Sequence, residues 1–117
     1  MKKLTIFTPT YNRQHTLYKA YESLIKQTNK DFIWLIIDDG SKDNTEEIVN
    51  AWKNENKIEI EYYKKENGGK HSAYNYALKL IKTELTLIAL DSDDYLTLNA
   101  VEDILKCWEE NKKNNVY

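Results

Sequence analysis

Short apolar segments of strand length alternate with amphipathic helical patterns four times along this sequence. The strand-like segments cover residues 4–8, 32–37, 58–63 and 85–90. Each is followed by a stripe of apolar residues three and four positions apart, which is the spacing of one helix face. Strict alternation of this kind is typical of parallel sheets with right-handed crossovers and helices on both faces. We therefore predict an α/β fold with a three-layer α/β/α architecture and a mainly parallel sheet.

The apolar stripes give the expected helix positions. Their members are Leu17, Ala20, Tyr21, Leu24 and Ile25, then Ile48, Val49 and Trp52, then Ala73, Ala77, Leu80 and Ile81, and finally Leu98, Val101, Ile104, Leu105 and Trp108. Asp43 followed by Glu46 resembles a capping box and predicts the start of the second helix, and the last helix is expected to begin near Thr97. Pro9 is expected to break the first strand. Alternation of apolar and charged residues places the third strand toward a sheet edge.

The composition indicates one folded domain that is not adapted to nucleic acid. The 117 residues are 41% hydrophobic and 31% charged, with one proline and three glycines, so no stretch has the composition of a linker. The formal net charge is −2 and the basic residues are scattered along the chain. Nucleic-acid-binding proteins instead concentrate positive charge on one face. We therefore expect residues 1–117 to form a single domain without a nucleic-acid partner.

Cysteine content and hydropathy predict the compartment. Cys107 is the only cysteine, so the chain has no internal disulfide, which suits a reducing environment. No apolar stretch approaches the ~18 residues that a membrane-spanning helix needs. We expect a cytoplasmic protein, with any contact to the inner face of the membrane made by regions outside this chain. Val116 and Tyr117 resemble the opening of a further strand, which suggests an amino-terminal segment of a longer protein.

Polar residues follow every predicted strand. The four polar stretches cover residues 8–13, 38–41, 67–71 and 91–94. In a parallel sheet the carboxyl ends of the strands lie at one edge, and ligands bind in the loops there. The four stretches are therefore expected to form one polar ligand site, although they are far apart in sequence.

Three carboxylates stand within four residues at the end of the fourth strand. Asp91, Asp93 and Asp94 would repel one another when ionised, so their gathering calls for a cation, hydrogen-bond donors or open water. Mg²⁺ and Mn²⁺ take oxygen ligands, commonly one or two carboxylates plus substrate phosphates. The Asp-x-Asp pattern alone is a weak signal, and a solvated turn that caps the next helix remains open as the alternative.

The residues of this edge suit a nucleoside diphosphate. Its metal-bridged phosphates would neutralise the carboxylates, and Asp39 could accept a hydrogen bond from a base N–H or a ribose hydroxyl. Gly68 and Gly69 would allow close approach of backbone to ligand, while Lys70 and Arg13 supply positive charge. Neither a P-loop nor the Gly-x-Gly-x-x-Gly dinucleotide fingerprint is present in the sequence.

Four motifs together resemble those of a known family. They are Thr8-Pro9-Thr10-Tyr11-Asn12-Arg13, Asp38-Asp39-Gly40-Ser41, Asn67-Gly68-Gly69 and Asp91-Ser92-Asp93-Asp94. In this order and spacing the sequence resembles glycosyltransferase family 2, the inverting enzymes with the Rossmann-like GT-A fold. The resemblance implies transfer of a sugar from a nucleotide-diphosphate donor, often a UDP-sugar, to a hydroxyl of a glycan, a lipid-linked molecule or another acceptor.

The resemblance also implies residue roles. The nucleotide pocket would be lined by Thr8, Pro9 and Tyr11. Base and ribose would be contacted by Asp38 or Asp39, with Asn67 and Gly68 near the base. Asp91 would face the ribose or the water shell of the metal, and Asp93 would bind Mn²⁺ or Mg²⁺ directly. Arg13, Lys70 and Ser92 complete the predicted nucleotide-sugar-binding set. Tyr74 departs from the family pattern, in which Arg commonly precedes the Asn that matches Asn75, and Lys70 or His71 could compensate.

The implied mechanism is a single displacement at the anomeric carbon, with a carboxylate taking the proton of the acceptor. The catalytic base of the family comes from segments after the Asp-x-Asp region, so it is expected beyond residue 117. Three alternatives stay open: a non-catalytic nucleotide-sugar-binding fragment, a receiver-type phosphoacceptor domain, and a nucleotidyltransferase. A receiver would carry its acidic pair after the first strand, and a nucleotidyltransferase would carry a Gly-rich basic loop there.

Overall fold

The structure, a computed structural model, describes residues 3–81, 83, 85–87 and 99–113. Its strands are β1 (Leu4–Thr10), β2 (Phe32–Asp38), β3 (Glu59–Lys64) and β4 (Leu85–Leu87), and its helices are α1 (Gln14–Ile25), α2 (Thr45–Glu55), α3 (Lys70–Leu80) and α4 (Ala100–Lys113). Strand and helix alternate as the sequence predicts. Among the residues described, no helix combines the length and the apolar character that crossing a bilayer requires.

The four strands form one sheet in the order β3-β2-β1-β4, and every neighbouring pair is parallel. β3 lies at the edge of the sheet that the described residues form, which confirms the expectation from its alternating polarity. The register pairs Thr10 with Asp38 and Asp38 with Lys64. The last residues of β1, β2 and β3 therefore lie side by side, and the loops that follow them leave from the same edge of the sheet.

Side chains of β1 and β2 are buried on both faces of the sheet. One core cluster contains Ile6 and Trp34 and is covered by α1, α2 and α4, while the other contains Phe7 and Leu35 and is covered by α3. Successive residues of a strand point to opposite faces, so a strand covered on both sides reads as a continuous apolar run. This arrangement explains the run 32–37 and confirms the three-layer architecture.

β1 does not end at Pro9 as predicted but continues to Thr10. The carbonyl of Thr10 accepts a hydrogen bond from the Asp39 N–H at 2.9 Å. Because residues of a parallel strand bond alternately to one neighbour and then the other, the nitrogen of Pro9 faces away from β2. The missing N–H of proline therefore costs no bond in the β1–β2 pair.

Two helix starts differ from the sequence-based expectation. α2 begins at Thr45 with Asn44 as N-cap, so Asp43 is not the capping residue of a capping box. Asp43 still accepts the Thr45 N–H, at 3.1 Å. α4 begins at Ala100, later than the predicted start near Thr97, which lies outside the described residues together with Leu98.

Candidate functional site

The loops after β1, β2 and β3 meet at the carboxyl edge of the sheet. Two backbone hydrogen bonds extend the strand pairing into these loops: Asp39 N–H donates to the Thr10 carbonyl, and Lys65 N–H donates to the Asp38 carbonyl, both at 2.9 Å. The predicted convergence of residues 8–13, 38–41 and 67–69 is therefore present in the structure. The fourth stretch, residues 91–94, lies outside the described residues.

The carboxylate of Asp39 joins the second and third loops. Its Oδ1 accepts the Gly68 N–H at 2.9 Å and Lys65 Nζ at 2.6 Å, and its Oδ2 accepts the Gly69 N–H at 2.9 Å. Burial raises the pKa of Asp39, but the Lys65 ammonium and the two glycine amides outweigh it and hold the pKa below its usual range. Asp39 therefore stays ionised, in a concavity of backbone N–H groups that favours an anion.

Asp38 is fully buried and fixes its own loop. Its Oδ1 accepts the Ser41 N–H at 2.8 Å, and its Oδ2 accepts the hydroxyl of Tyr62. Burial and the hydrogen bond to Asp38 raise the pKa of Tyr62, so this hydroxyl keeps its proton and remains a donor. The sequence left the choice between Asp38 and Asp39 open. In the structure the Asp38 carboxylate is held by its own loop and by β3, and the contact of either aspartate with base and ribose stays a prediction.

The first loop is tied to the second by reciprocal hydrogen bonds. Asn12 N–H donates to Ser41 Oγ and Asn12 Oδ1 accepts the Lys42 N–H, both at 2.8 Å. Asn12 has φ +51°, a left-handed conformation that asparagine tolerates better than most residues. Tyr11 is 41% exposed beside this junction, and Arg13 is exposed. These two side chains are thus presented to solvent at the edge where the loops meet.

Thr8, Thr10 and Pro9 take different positions at the end of β1. The hydroxyl of Thr8 is fully buried and accepts the Trp34 Nε1–H at 2.9 Å. Thr10 is 4% exposed, and its Oγ1 has no hydrogen-bond partner among the described residues. Pro9 lies between them and is half-buried. The pocket-lining roles of Thr8 and Pro9 stay predictions.

Three residues of this junction were not singled out from the sequence. Gly40 has φ +83°, and a Cβ there would lie 3.0 Å from the Asn67 backbone nitrogen. Lys65 reaches Asp39, and Asn12 bonds the second loop. Gly40 lies in the motif of residues 38–41, and Asn12 lies in the motif of residues 8–13. Both are residue types that favour turns, and this preference could have indicated their roles. Lys65 had no signal, because its role depends on the register between β2 and β3.

The predicted metal ligands cannot be placed in this site. Asp91, Ser92, Asp93 and Asp94 lie outside the described residues, and so do the side chains of Lys70 and His71. Within the described part of the chain, no group of three or more His, Cys, Asp or Glu side chains could hold a metal ion. The metal site at Asp91 and Asp93 therefore stays a prediction.

Comparison with known families decides what kind of domain this is. The model of the family described as glycosyl transferase family 2 matches residues 5–117. The chain belongs to this family. The match covers all four predicted motifs, and it leaves the receiver-type alternative without support. The sheet and the helices on its two faces are accordingly the Rossmann-like part of a GT-A fold.

Individual relatives agree with this membership. The family-2 chain is 38% identical over 109 residues to an uncharacterised glycosyltransferase of Rickettsia felis, covering 93% of this chain and 18% of that protein. It is 34% identical over 116 residues to the poly(ribitol-phosphate) beta-N-acetylglucosaminyltransferase TarP of Staphylococcus aureus, covering 97% of this chain and 35% of TarP. The chain thus spans about a fifth to a third of the length of these two relatives.

A solved structure has the same fold. The crystal structure of TarS 1–349 from S. aureus in complex with UDP-GlcNAc superimposes with a TM-score of 0.83 and 31% sequence identity. The superposition covers 94% of this chain and 32% of that one. The superposition therefore includes nearly the whole of the family-2 chain.

Proposed function

We propose that this chain binds the nucleotide-sugar donor of a glycosyltransferase, and that the donor is a UDP-sugar. The observation that carries the proposal is the likeness to TarS in complex with UDP-GlcNAc, at 31% identity over 94% of the chain. Family membership over residues 5–117 supports the reaction class, which is glycosyl transfer from a nucleotide sugar. UDP-GlcNAc is accordingly the first donor to test.

The proposed donor pocket lies where the first three loops meet. Asp39 would contact the base or ribose, with Asn67 and Gly68 beside the base and Tyr11 at the exposed margin. The ionised state of Asp39 supports an acceptor role, because a carboxylate only accepts hydrogen bonds. The proposed set of nucleotide-sugar-binding residues is completed by Thr8, Pro9, Arg13, Asp38, Lys70, Asp91 and Ser92.

A divalent cation fits the donor set that the sequence supplies. Asp93 and Asp91 would hold Mn²⁺ or Mg²⁺, since both ions prefer carboxylate and phosphate oxygens. When bound, the ion supplies positive charge that stabilises a departing diphosphate. The chain itself would orient the nucleotide through the first three loops.

The transfer is proposed to invert the anomeric carbon by a single displacement. The acceptor would be a hydroxyl of a glycan, such as the poly(ribitol-phosphate) named for TarP, or of a lipid-linked molecule. Its proton would go to a carboxylate that we expect beyond residue 117. Residues 1–117 would then supply the donor half of the site.

Calorimetry with UDP tests the donor and metal proposals together. We expect Mn²⁺ to tighten UDP binding by at least about tenfold over an EDTA-treated sample, because its positive charge would offset the repulsion between the carboxylates and the diphosphate. Asp93→Ala should remove this metal dependence without loss of folding, since it also relieves charge repulsion. Glu110→Ala, an exposed carboxylate on α4, serves as the control and should keep the dependence. Equal affinity with and without Mn²⁺ would contradict the metal role, and no UDP binding would contradict the donor role.

A further inference from the structure

Two consecutive lysines at the end of β3 have different surroundings. The Lys64 side chain is 41% exposed, and its Nζ lies 3.7 Å from Glu46 Oε1 in an exposed ion pair. The Lys65 side chain is only 11% exposed, and its Nζ lies 2.6 Å from Oδ1 of Asp39, whose side chain is 10% exposed. Exposed pairs such as Lys64–Glu46 contribute little to stability. Lys65, in contrast, places its charge against a nearly buried carboxylate.

Among the described residues, the two carboxylate oxygens of Asp39 accept different numbers of hydrogen bonds. Each carboxylate oxygen can accept two hydrogen bonds. Oδ1 accepts two, from Lys65 Nζ and the Gly68 N–H, whereas Oδ2 accepts one among the described residues, from the Gly69 N–H. With respect to the described residues, one acceptor position therefore remains on Oδ2, at the edge where the three loops meet.

Lys65 is the only cationic partner of this carboxylate among the described residues. A buried carboxylate that loses its cation is less favoured in its ionised form, because part of the compensation for its desolvation is lost. A protonated carboxyl group can donate a hydrogen bond, whereas an ionised one cannot. The charge of Lys65, together with the Gly68 and Gly69 amides, therefore favours the ionised form of Asp39, which accepts hydrogen bonds from a ligand.

We propose that Lys65 is a positioning and specificity-determining residue, which holds Asp39 ionised so that the site selects a base with an imino N–H over one without it. The proposal rests on the proposed function, since it assigns the base selectivity of that same donor site. Uracil carries an N3–H that can donate to Oδ2. Cytosine has an unprotonated N3, which would face the ionised oxygen as a second acceptor. Lys65 itself need not touch the nucleotide.

The test measures UDP and CDP affinities by calorimetry at pH 7 in the same buffer with Mn²⁺. We expect the unsubstituted protein to bind UDP at least about tenfold tighter than CDP, as a hydrogen bond to a charged group implies. Lys65→Met keeps most of the length of the side chain but not its charge, and it should reduce the ratio of UDP affinity to CDP affinity about tenfold. Lys65→Arg should preserve the ratio, and Lys64→Met, the neighbouring exposed lysine, is the matched control and should also preserve it.

A double-mutant cycle shows whether Lys65 acts through Asp39. In the Asp39→Asn background, Lys65→Met should leave the UDP-to-CDP ratio unchanged within a factor of about two, because the carboxylate it acts on is gone. Lys65→Gln retains a hydrogen-bond donor without charge and replaces Lys65→Met if the latter does not fold. Lys65→Gln should reduce the ratio of UDP affinity to CDP affinity about tenfold, as Lys65→Met does.

The possible failures are distinguishable. If the unsubstituted protein binds neither nucleotide, the proposed function and this inference both fail. If it binds UDP selectively and Lys65→Met lowers the affinities for UDP and CDP by the same factor, Lys65 has only a structural role and the inference alone is overturned. If Lys65→Met also reduces the ratio of UDP affinity to CDP affinity about tenfold in the Asp39→Asn background, the inference about Lys65 is overturned as well.

Discussion

Gly40 shows how a single residue determines whether two loops can meet. Its φ of +83° is a conformation that residues with a Cβ rarely adopt. A Cβ at this position would also lie 3.0 Å from the Asn67 nitrogen and 3.3 Å from the Lys65 carbonyl oxygen. Both atoms belong to backbone, so rotation of a side chain cannot relieve the contact. Gly40 thus allows the loop after β2 to pack against the loop after β3.

We expect Gly40→Ala to destabilise the fold by more than Gly69→Ala. Gly69 also has positive φ, +87°, but a Cβ there would meet nothing within 4 Å. Gly69→Ala should therefore cost only backbone strain, about 1–3 kcal/mol. Gly40→Ala should cost about 1–3 kcal/mol more, because overpacking adds to the strain. Urea unfolding measures both free energies, and equal losses would show that crowding at Gly40 is unimportant.

At this scale the sequence predicted the residue types of the site better than their partners. The acidic strand end at Asp38 and Asp39 and the turn at Gly68 follow from composition and spacing. The division of labour between the two aspartates does not, because it depends on Tyr62 reaching Asp38 and on Lys65 reaching Asp39. Tyr62 lies on β3 and Lys65 directly follows it, and the register of β3 on β2 has no local signature in the sequence.

A buried glutamine connects the end of α1 to the start of α4. Gln27 is 1% exposed, its Nε2 donates to the Ser23 carbonyl at 3.0 Å, and its Oε1 accepts the Val101 N–H at 3.0 Å. The first N–H groups of a helix have no partner within the helix. Gln27 satisfies one of them from a distant part of the chain, and so fixes the position of α4 on the sheet.

Gln27→Leu should destabilise the protein by about 1–3 kcal/mol, because it leaves the buried N–H of Val101 without its partner. Thr28→Val is the matched control, since the Thr28 hydroxyl bonds Asn99 and Glu102 in an exposed setting. We expect the control to cost less than about 0.5 kcal/mol. Thermal and urea unfolding of both variants provide the measurement. A loss for Gln27→Leu no larger than the control would contradict the capping role.

The periodicity of apolar residues predicted the helices and strands, but it did not predict the residues at which they begin and end or the order of the strands in the sheet. The apolar stripes identified all four helices, since each helix must bury one face. The end of β1 was missed because the nitrogen of Pro9 faces away from β2, so the missing N–H costs no bond in the β1–β2 pair. The start of α2 was missed because Asp43 accepts the Thr45 N–H from outside the helix. The order β3-β2-β1-β4 is a tertiary choice that alternation of strand and helix leaves open.

The stability of the whole molecule should be centred on β1 and β2. Each of these strands has a core cluster on both faces and a paired strand on both sides, whereas β3 is paired on one side only among the described residues. The candidate site lies at the ends of these strands, so its loops are expected to leave from the most stable part of the sheet. Amide exchange by the native protein reports this distribution directly.

We expect exchange to be slowest in β1 and β2 and to alternate along β3. Lys65 N–H donates to the Asp38 carbonyl, so in a parallel ladder the N–H groups of Glu61 and Tyr63 also point toward β2. Those of Ile60 and Tyr62 point away from the sheet and should exchange at least about tenfold faster. NMR-detected exchange at single residues measures the difference. Uniform protection along β3 would contradict its position at the edge, because it would require a further strand paired with its outer side.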